Sequence, residues 1–329
     1  FDGAIRRQTS PPPGQTPSRF EILTAAALSW FADEAVDVAV VEVGLGGRHD
    51  ATNVVDAQVA VVTNVALDHS EVIGPTLGDI AREKAGIVKP GSTLVLGEAD
   101  PVLAGVFRDA GAAAILEVGR DFACESTRIA VGGRVLDLRS PTQRYPEVFL
   151  PLHGAHQGDN AAVALTAAEA FFAAPLDPEV VAEGFGITAV PGRLEVVGRR
   201  PLRILDGAHN PAGARAAGLA LGQEFATVKR WVVVMGLLAG RDPAEMIFEL
   251  GPARIAHLIA CAPPSPRALA PGAVAGAATR LGIASETATS AGEALRRAES
   301  LAEPEDLILV TGSLYLVGEA RSILLASKA

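Results

Sequence analysis

Cysteine, aromatic side chains and positive charge are all scarce in this chain of 329 residues. The two cysteines, Cys124 and Cys261, lie far apart without metal-type spacing, which excludes a disulfide framework and a zinc motif and suits a reducing cytosol. Aromatics make up 5%, and 28 Lys and Arg face 38 Asp and Glu for a net charge of −10. With no basic stripe, this composition argues against a nucleic-acid surface. No uninterrupted apolar run approaches the ~20 residues needed to span a bilayer. The opening, FDGAIRRQTSPPPG, has neither an initiator Met nor an apolar h-region, so it is not a secretory signal and reads as the inside of a loop. An acidic balance does not exclude anionic ligands, because helix N-termini and a few focused cations set the local field.

What is present is apolar, at 49%, and long enough for a substantial core and two domains. The densest signal is VAVVEVGLGGRHDATN at 38–53. A near-continuous apolar run leads to Glu42, then to Gly44, Gly46 and Gly47, and on to Arg48, Asp50, Thr52 and Asn53. Apolar residues at consecutive positions predict a strand over 36–43 buried on both faces, as in a parallel α/β sheet. Ligands of such sheets collect beyond the carboxyl ends of the strands, where Glu42 and the glycines would sit. The structural alternative is a β-to-α turn in which Asp50 or Thr52 caps a helix.

Periodicity predicts helices over 20–32 and 76–88 and further strands over 58–64 and 93–96. Such alternation indicates βαβ units and a parallel sheet. TRIAVGGRVLDL at 127–138 switches to period-2 alternation around Gly132-Gly133, a hairpin signature, and 160–172 is a long Ala-rich helix. After Val190-Pro191-Gly192 a second α/β alternation begins, with strands at 202–205, 231–235, 257–261 and 307–310 and helices at 211–225, 243–250 and 314–325. The domain boundary is placed at 191–198, and 263–276 reads as a Pro/Ala-rich loop.

Several residue groups carry chemistry. Asp68-His69 follows the strand at 58–64, so a carboxylate (Glu42) and an imidazole (His69) from two strand ends could share a divalent ion. Lys84 falls with Leu77, Ile80, Ala81, Ile87 and Val88 on one helix face. Either it snorkels, or desolvation disfavours its ammonium and the neutral amine takes up carbon dioxide as a carbamate, a carboxylate-like metal ligand. Gly86 to Thr93 imitates a phosphate-binding loop but lacks the lysine before Ser/Thr and ends a helix instead of opening one. Gly44, Gly46 and Gly47 lack dinucleotide spacing. Downstream, a strand ends in Asp206-Gly-Ala-His209-Asn210-Pro211, with Asn210 as N-cap and Pro211 in the first turn. Capping accounts for Asn210 but not for Asp206 or His209. Arg193 sits in the hinge, His156-Gln157-Gly-Asp159-Asn160 opens the Ala-rich helix, and Thr311-Gly312-Ser313 follows the last strand.

Taken in order, EVGLGGRHDATN (42–53), LDH (67–69), REKAGIVKPG (82–91), HQGDN (156–160), PGRLE (191–195), DGAHNP (206–211) and TGS (311–313) resemble the folylpolyglutamate synthase/dihydrofolate synthase family of Mur-type ligases. The resemblance implies a Mur-ligase-like central ATPase domain with a mostly parallel sheet over 1–192 and a C-terminal Rossmann-like α/β domain over 193–329. It implies an ATP-dependent ligase that adds L-glutamate to dihydropteroate or reduced folates through an acyl phosphate. By analogy Glu42 and His69 hold magnesium, with carbamylated Lys84 at a second magnesium ion. Asn160 and Arg193 hold adenine and phosphate, Asp206 the ribose, His209 lies by the transferring phosphoryl group, and Ser313 is a weaker candidate for the glutamate pocket. The implied protein is cytoplasmic and monomeric, with small-molecule partners only. The family's phosphate-binding loop is not among these residues, so an amino-terminally shortened chain, inactive by itself, is the expectation. His49 and Gly240-Arg241-Asp242 also depart from the family pattern. The competing readings are a Mur-type cell-wall ligase and a non-catalytic folate- or nucleotide-binding remnant. A nicotinamide-dependent oxidoreductase rests on α/β texture alone.

Overall fold

A computed structural model describes residues 16–67 and 73–326, which fall into two compact units. One runs through Phe122 and includes Thr166–Ala174; the other comprises Ala123–Leu165 and Pro175 onward.

In the first unit, α1 (Arg19–Asp33) opens on a capping box in which Ser18 and Glu21 satisfy each other's backbone N–H. A 3₁₀ turn, Ala51–Val54, follows the glycine-rich segment. Three short parallel strands, β1 (Val59–Val62), β2 (Thr93–Leu96) and β3 (Ala114–Glu117), lie in that order, joined by α2 (Leu77–Ala85) and α3 (Pro101–Arg108). Register pairs Val59 with Thr93 and Thr93 with Ala114. Ala60, Val62, Leu94 and Leu96 pack on Ala81, Ala85, Val88, Leu103 and Phe107. Arg108 closes the unit with a two-pronged pair to the buried Glu117, at 2.7 and 2.6 Å.

One expectation fails here. Residues 36–43 form no strand, and Val40 is 94% exposed. The apolar pattern suits burial on both faces, but a strand also needs neighbours for its N–H and C=O groups. No ladder partner for 36–43 exists among the described residues.

The second unit holds two sheets. An antiparallel meander, β4 (Ala123–Ala130), β5 (Gly133–Arg139) and β6 (Arg144–Leu150), turns first at Gly132, whose φ of +80° suits glycine. Next come α4 (His156–Phe172), of which only the stretch through Leu165 belongs to this unit and which starts four residues earlier than the spacing suggested, and α5 (Pro178–Gly186). A six-stranded sheet follows, built from β7 (Glu195–Arg199), β8 (Leu202–Leu205), β9 (Trp231–Met235), β10 (Ile255–Ala260), β11 (Ala284–Thr287) and β12 (Leu307–Thr311). Their spatial order is β11-β10-β9-β12-β8-β7, parallel except for β7 at the edge. Its two faces are covered by α6 (Pro211–Glu224), α7 (Pro243–Leu250) and α8 (Pro271–Arg280) on one side and by α9 (Ala291–Leu301) and α10 (Leu314–Ala326) on the other. The 263–276 segment, expected as loop, enters α8 at Pro271, because proline is pre-set for a first helical turn and the alanines behind it favour helix. No helix among the described residues is long and apolar enough to cross a membrane.

Candidate functional site

In the first unit the glycine-rich turn is seated on the carboxyl end of α2. Arg48 N–H donates to the Glu83 carbonyl at 2.9 Å. A methyl group on Gly47 would meet that same carbonyl oxygen at 2.6 Å and Lys84 Cα at 3.0 Å. One on Gly86 would meet Arg48 Cβ at 2.4 Å, so glycines on both segments permit the approach. Asp50 caps the 3₁₀ turn, accepting from Thr52 N–H at 2.9 Å, Thr52 Oγ1 at 2.6 Å and Leu45 N–H at 2.8 Å. Burial opposes the ionised form, but the hydrogen bonds from Thr52, Leu45 and Gly44 prevail and hold the Asp50 carboxyl below its ordinary value. Asn53 donates to the carbonyls of Arg48 (2.9 Å) and Gly86 (3.2 Å), and Lys89 Nζ to the carbonyl of Asn53 (2.9 Å). The two motifs therefore fold against each other, and the capping reading of Asp50 holds.

Glu83 was missed. Its carboxylate accepts His49 N–H at 3.0 Å and faces His49 Nδ1 at 3.2 Å. Glu83 lies off the apolar stripe of α2, on the side where the turn docks through Arg48 and His49. Lys84 is half-buried at the margin of the stripe formed by Ile80, Ala81, Ala85 and Val88. Glu42 is exposed, and neither its side chain nor that of Lys84 makes a hydrogen bond or ion pair with a described residue, although the Lys84 carbonyl accepts Ile87 N–H at 3.2 Å. His69 and Asp68 lie outside the described residues. Among the described residues no group of three or more His, Cys, Asp or Glu stands ready to hold a metal. The Glu42 carboxylate, with neither oxygen bonded to a described residue, fits the oxygen-donor preference of a hard cation.

In the second unit the strand order produces a switch point at β12. The chain leaves β8 and β9 towards α6 and α7 on one face and leaves β12 towards α10 on the other. Crevices at such points, beyond the carboxyl ends of parallel strands, are where ligands of open α/β sheets bind. Here they gather 206–211, 236–237 and 311–313: Gly312 N–H donates to the Ala208 carbonyl at 3.0 Å and Gly236 N–H to that of Thr311 at 3.2 Å. Gly312, at φ +100°, has no room for a side chain against the Gly236 carbonyl.

Asp206 is buried, with one oxygen accepting Leu194 N–H at 3.0 Å and the other Ala208 N–H at 2.9 Å. It thereby pins Leu194, next to Arg193, to the end of β8. Burial raises its pKa, and the two hydrogen bonds, Arg193 and His156 partly offset this. The Arg193 guanidinium lies where a side chain on Gly207 would be, 2.5 Å from that notional methyl. His209 Nδ1 sits 3.0 Å from the Gly207 carbonyl, which only accepts, so Nδ1 carries a hydrogen. Asn210 caps α6 through Gly213 N–H at 2.8 Å, with Pro211 in the first turn as expected. Ser313 is buried and accepts Tyr315 N–H at 3.2 Å as α10 begins. Asn160 is exposed on α4 and donates to Gln157 Oε1 at 3.1 Å. One turn earlier, His156 is held neutral chiefly by burial, against the pull of Asp206, Glu224 and Asp159.

The ends of β8 and β12 thus bring Arg193, Asp206, His209 and Ser313 together, with His156 in electrostatic reach of Asp206. A cleft of about 870 Å³ runs along β7 and includes Arg193 but not Asp206, His209 or Asn160. Neither thiol is a nucleophile: burial pushes Cys124 up to about 11 and Cys261 up to about 12.

Comparison with known proteins bears on the family and the fold. Residues 13–168 match the Mur ligase middle domain and 192–314 the Mur ligase, glutamate ligase domain. The chain is 39% identical to a dihydrofolate synthase/folylpolyglutamate synthase of Mycobacterium tuberculosis, over 94% of this chain and 69% of that protein. It is 35% identical to the folylpolyglutamate synthase of Lacticaseibacillus casei, over 94% of this chain and 72% of that one. Among solved structures, M. tuberculosis folylpolyglutamate synthase complexed with ADP and AMPPCP superposes with a TM-score of 0.90 at 38% identity, covering 98% of this chain and 76% of the other.

Proposed function

The chain belongs to the folylpolyglutamate synthase/dihydrofolate synthase family of Mur-type ligases, and from that premise we propose how its own residues serve an ATP-dependent glutamate ligase. A pteroate or folate carboxylate takes the terminal phosphoryl group of ATP and ADP leaves. The amine of L-glutamate then attacks the acyl carbon, phosphate departs and a proton is released. The observation that carries this reading is the gathering of Arg193, Asp206, His209 and Ser313 at one switch point of the C-terminal sheet. The same positions stand in the motifs on which the family resemblance rests.

In this reading Arg193 offers its guanidinium to phosphate, and Asn160 reads the adenine edge. Asp206 takes the ribose with the acceptor capacity its two backbone hydrogen bonds leave. His209, its ring fixed by the Gly207 carbonyl, stands by the transferring phosphoryl group. Ser313 belongs to the glutamate pocket. Magnesium, when bound, offsets the charge that develops during phosphoryl transfer. Glu42 and His69 would hold one such ion, and a carbamylated Lys84 a second. In the carbamate, the neutral Lys84 amine has bonded to the carbon of CO₂ and lost a proton to solvent. The domain division at 1–192 and 193–329 is supported by the start of the glutamate ligase domain at 192. The protein is assigned to the cytoplasm as a monomer.

The test is a substrate panel on the full-length enzyme. Phosphate release from MgATP should require L-glutamate together with dihydropteroate or a reduced folate. Turnover with UDP-muramoyl substrates and none with pteroates would replace this reading with the cell-wall one. ATP binding without turnover on any of them would favour a binding remnant.

A further inference from the structure

Beside the nucleotide residues, but unused by them, lies a buried charge cluster. Glu224 is the last residue of α6, and its side chain is 1% exposed. Its carboxylate pairs with Arg134 of β5, accepts Gly154 N–H at 2.7 Å and meets His153 Nδ1 at 2.7 Å. Arg134 is itself 5% exposed and donates through Nε to Thr127 Oγ1 at 2.6 Å. The carboxylate is the wrong sign for a helix C-terminus, where the macrodipole favours cations. It is also costly to bury unless paired. Its three partners hold it below the ordinary carboxylate range although burial, the largest influence, pushes the other way.

Two of those partners, His153 and Gly154, form the turn that leads into α4. Gly154 has φ +99°, and a methyl group there would meet His156 Cε1 at 2.4 Å, so this turn is wrapped against the imidazole. His156 in turn feels both Glu224 and Asp206. Glu224 therefore grips the residues that set where α4 begins, and the helix it terminates starts at Asn210-Pro211, just after Asp206 and His209.

We propose that Glu224 is a positioning residue for the nucleotide: locked by Arg134, it fixes the His153-Gly154 turn, and so the first turn of α4 with His156 and Asn160, against the helix that follows Asp206 and His209. Base-reading and ribose- and phosphate-facing groups are thereby held at a set separation. The inference rests on the assignment of Asn160 and Asp206 to ATP.

The test uses the full-length enzyme and two variants. Glu224→Asp keeps the charge for Arg134 but is one methylene shorter. The double change Arg134→Gln with Glu224→Gln removes both charges, so that neither is left buried alone. Both should melt cooperatively and raise the KM for ATP about tenfold, with the KM for L-glutamate unchanged and kcat at saturating ATP within about threefold. A cluster that only stabilises the fold would lower the melting temperature without this split. A wild-type KM for ATP in Glu224→Asp, or equal losses in both KM values and kcat, overturns the proposal. Asn160→Ala separates the two layers of argument. If it leaves the KM for ATP unaltered, the nucleotide reading fails. If it raises that KM while the Glu224 variants do not, only the positioning role fails.

Discussion

Gly47→Ala should separate the glycine-rich turn from α2. The added methyl group meets the Glu83 carbonyl oxygen at 2.6 Å and Lys84 Cα and O at 3.0 Å, all backbone atoms that cannot swing aside. Ordinary contact begins near 3.4 Å, so the turn must retreat by 3.4 − 2.6, about 0.8 Å. That retreat carries the Arg48 N–H to Glu83 hydrogen bond, now 2.9 Å, out of range. Overpacking of this kind costs ~1–3 kcal/mol, and the lost hydrogen bond ~0.5–1.5 kcal/mol. A loss of about 2–4 kcal/mol from the first unit follows. Gly105→Ala is the matched control: it lies mid-helix in α3 with nothing within 4 Å of its notional methyl, and should stabilise by ~0.5–1 kcal/mol. Thermal melts of the full-length enzyme and its two variants, with phosphate release assayed in parallel, read both effects. Because the turn abuts Lys84 and follows Glu42 in sequence, activity should fall with stability in Gly47→Ala alone. A Gly47→Ala protein within 0.5 kcal/mol of wild type, or a Gly105→Ala protein equally destabilised, would refute the close-approach argument.

Three further outcomes are expected. Glu42→Gln should leave stability within ~0.5 kcal/mol, as for a surface change without partners among the described residues, while ligase activity in the full-length enzyme collapses; near-normal ATP-dependent glutamate addition would remove Glu42 from the metal site. Lys84→Ala should be nearly inactive and partly rescued by a small added carboxylic acid, and a carbon-13 signal from labelled bicarbonate should mark the carbamate in the parent enzyme; a free amine in the metal-loaded protein rejects this. The pKa of His156 is lowered in the fold, so the unfolded chain binds more protons just below the ordinary imidazole pKa of about 6.5. The stability this neutral ring allows is complete above that value and is lost as pH falls towards the folded pKa. Unfolding of wild type and His156→Gln between about pH 7 and 5 should show the steeper loss in wild type; parallel curves would show that His156 is not held neutral.

The C-terminal sheet was the most legible part of the chain. Strands 202–205, 231–235 and 307–310 and the Asn210–Pro211 helix start stand where spacing put them, since runs such as WVVVM, buried throughout, have few alternatives. The edge strand β7 went unread because Glu195–Arg199 is half polar and bulged, without a clean period. The 36–43 segment misled in the other direction: apolar composition reports a preference for burial, whereas a strand exists only where ladder partners are supplied. In the candidate site, Asp206 and His209 stood out because a capped helix start left them unexplained. Glu83 and Glu224 did not, since a glutamate on a helix is ordinary until its neighbours are known.

By itself the sequence determined the α/β class, the helix caps and the family, because these depend on local period, capping chemistry and motif order. Only the tertiary structure decided which polar groups are already occupied. Asp206 spends both oxygens on backbone N–H groups, Asp50 caps its own turn, Glu83 takes His49, and Glu224 meets residues 70 to 90 positions away in the chain. Such pairings follow from strand order and helix packing, which bring together groups that no spacing along the chain relates, and burial then fixes which charges must be matched.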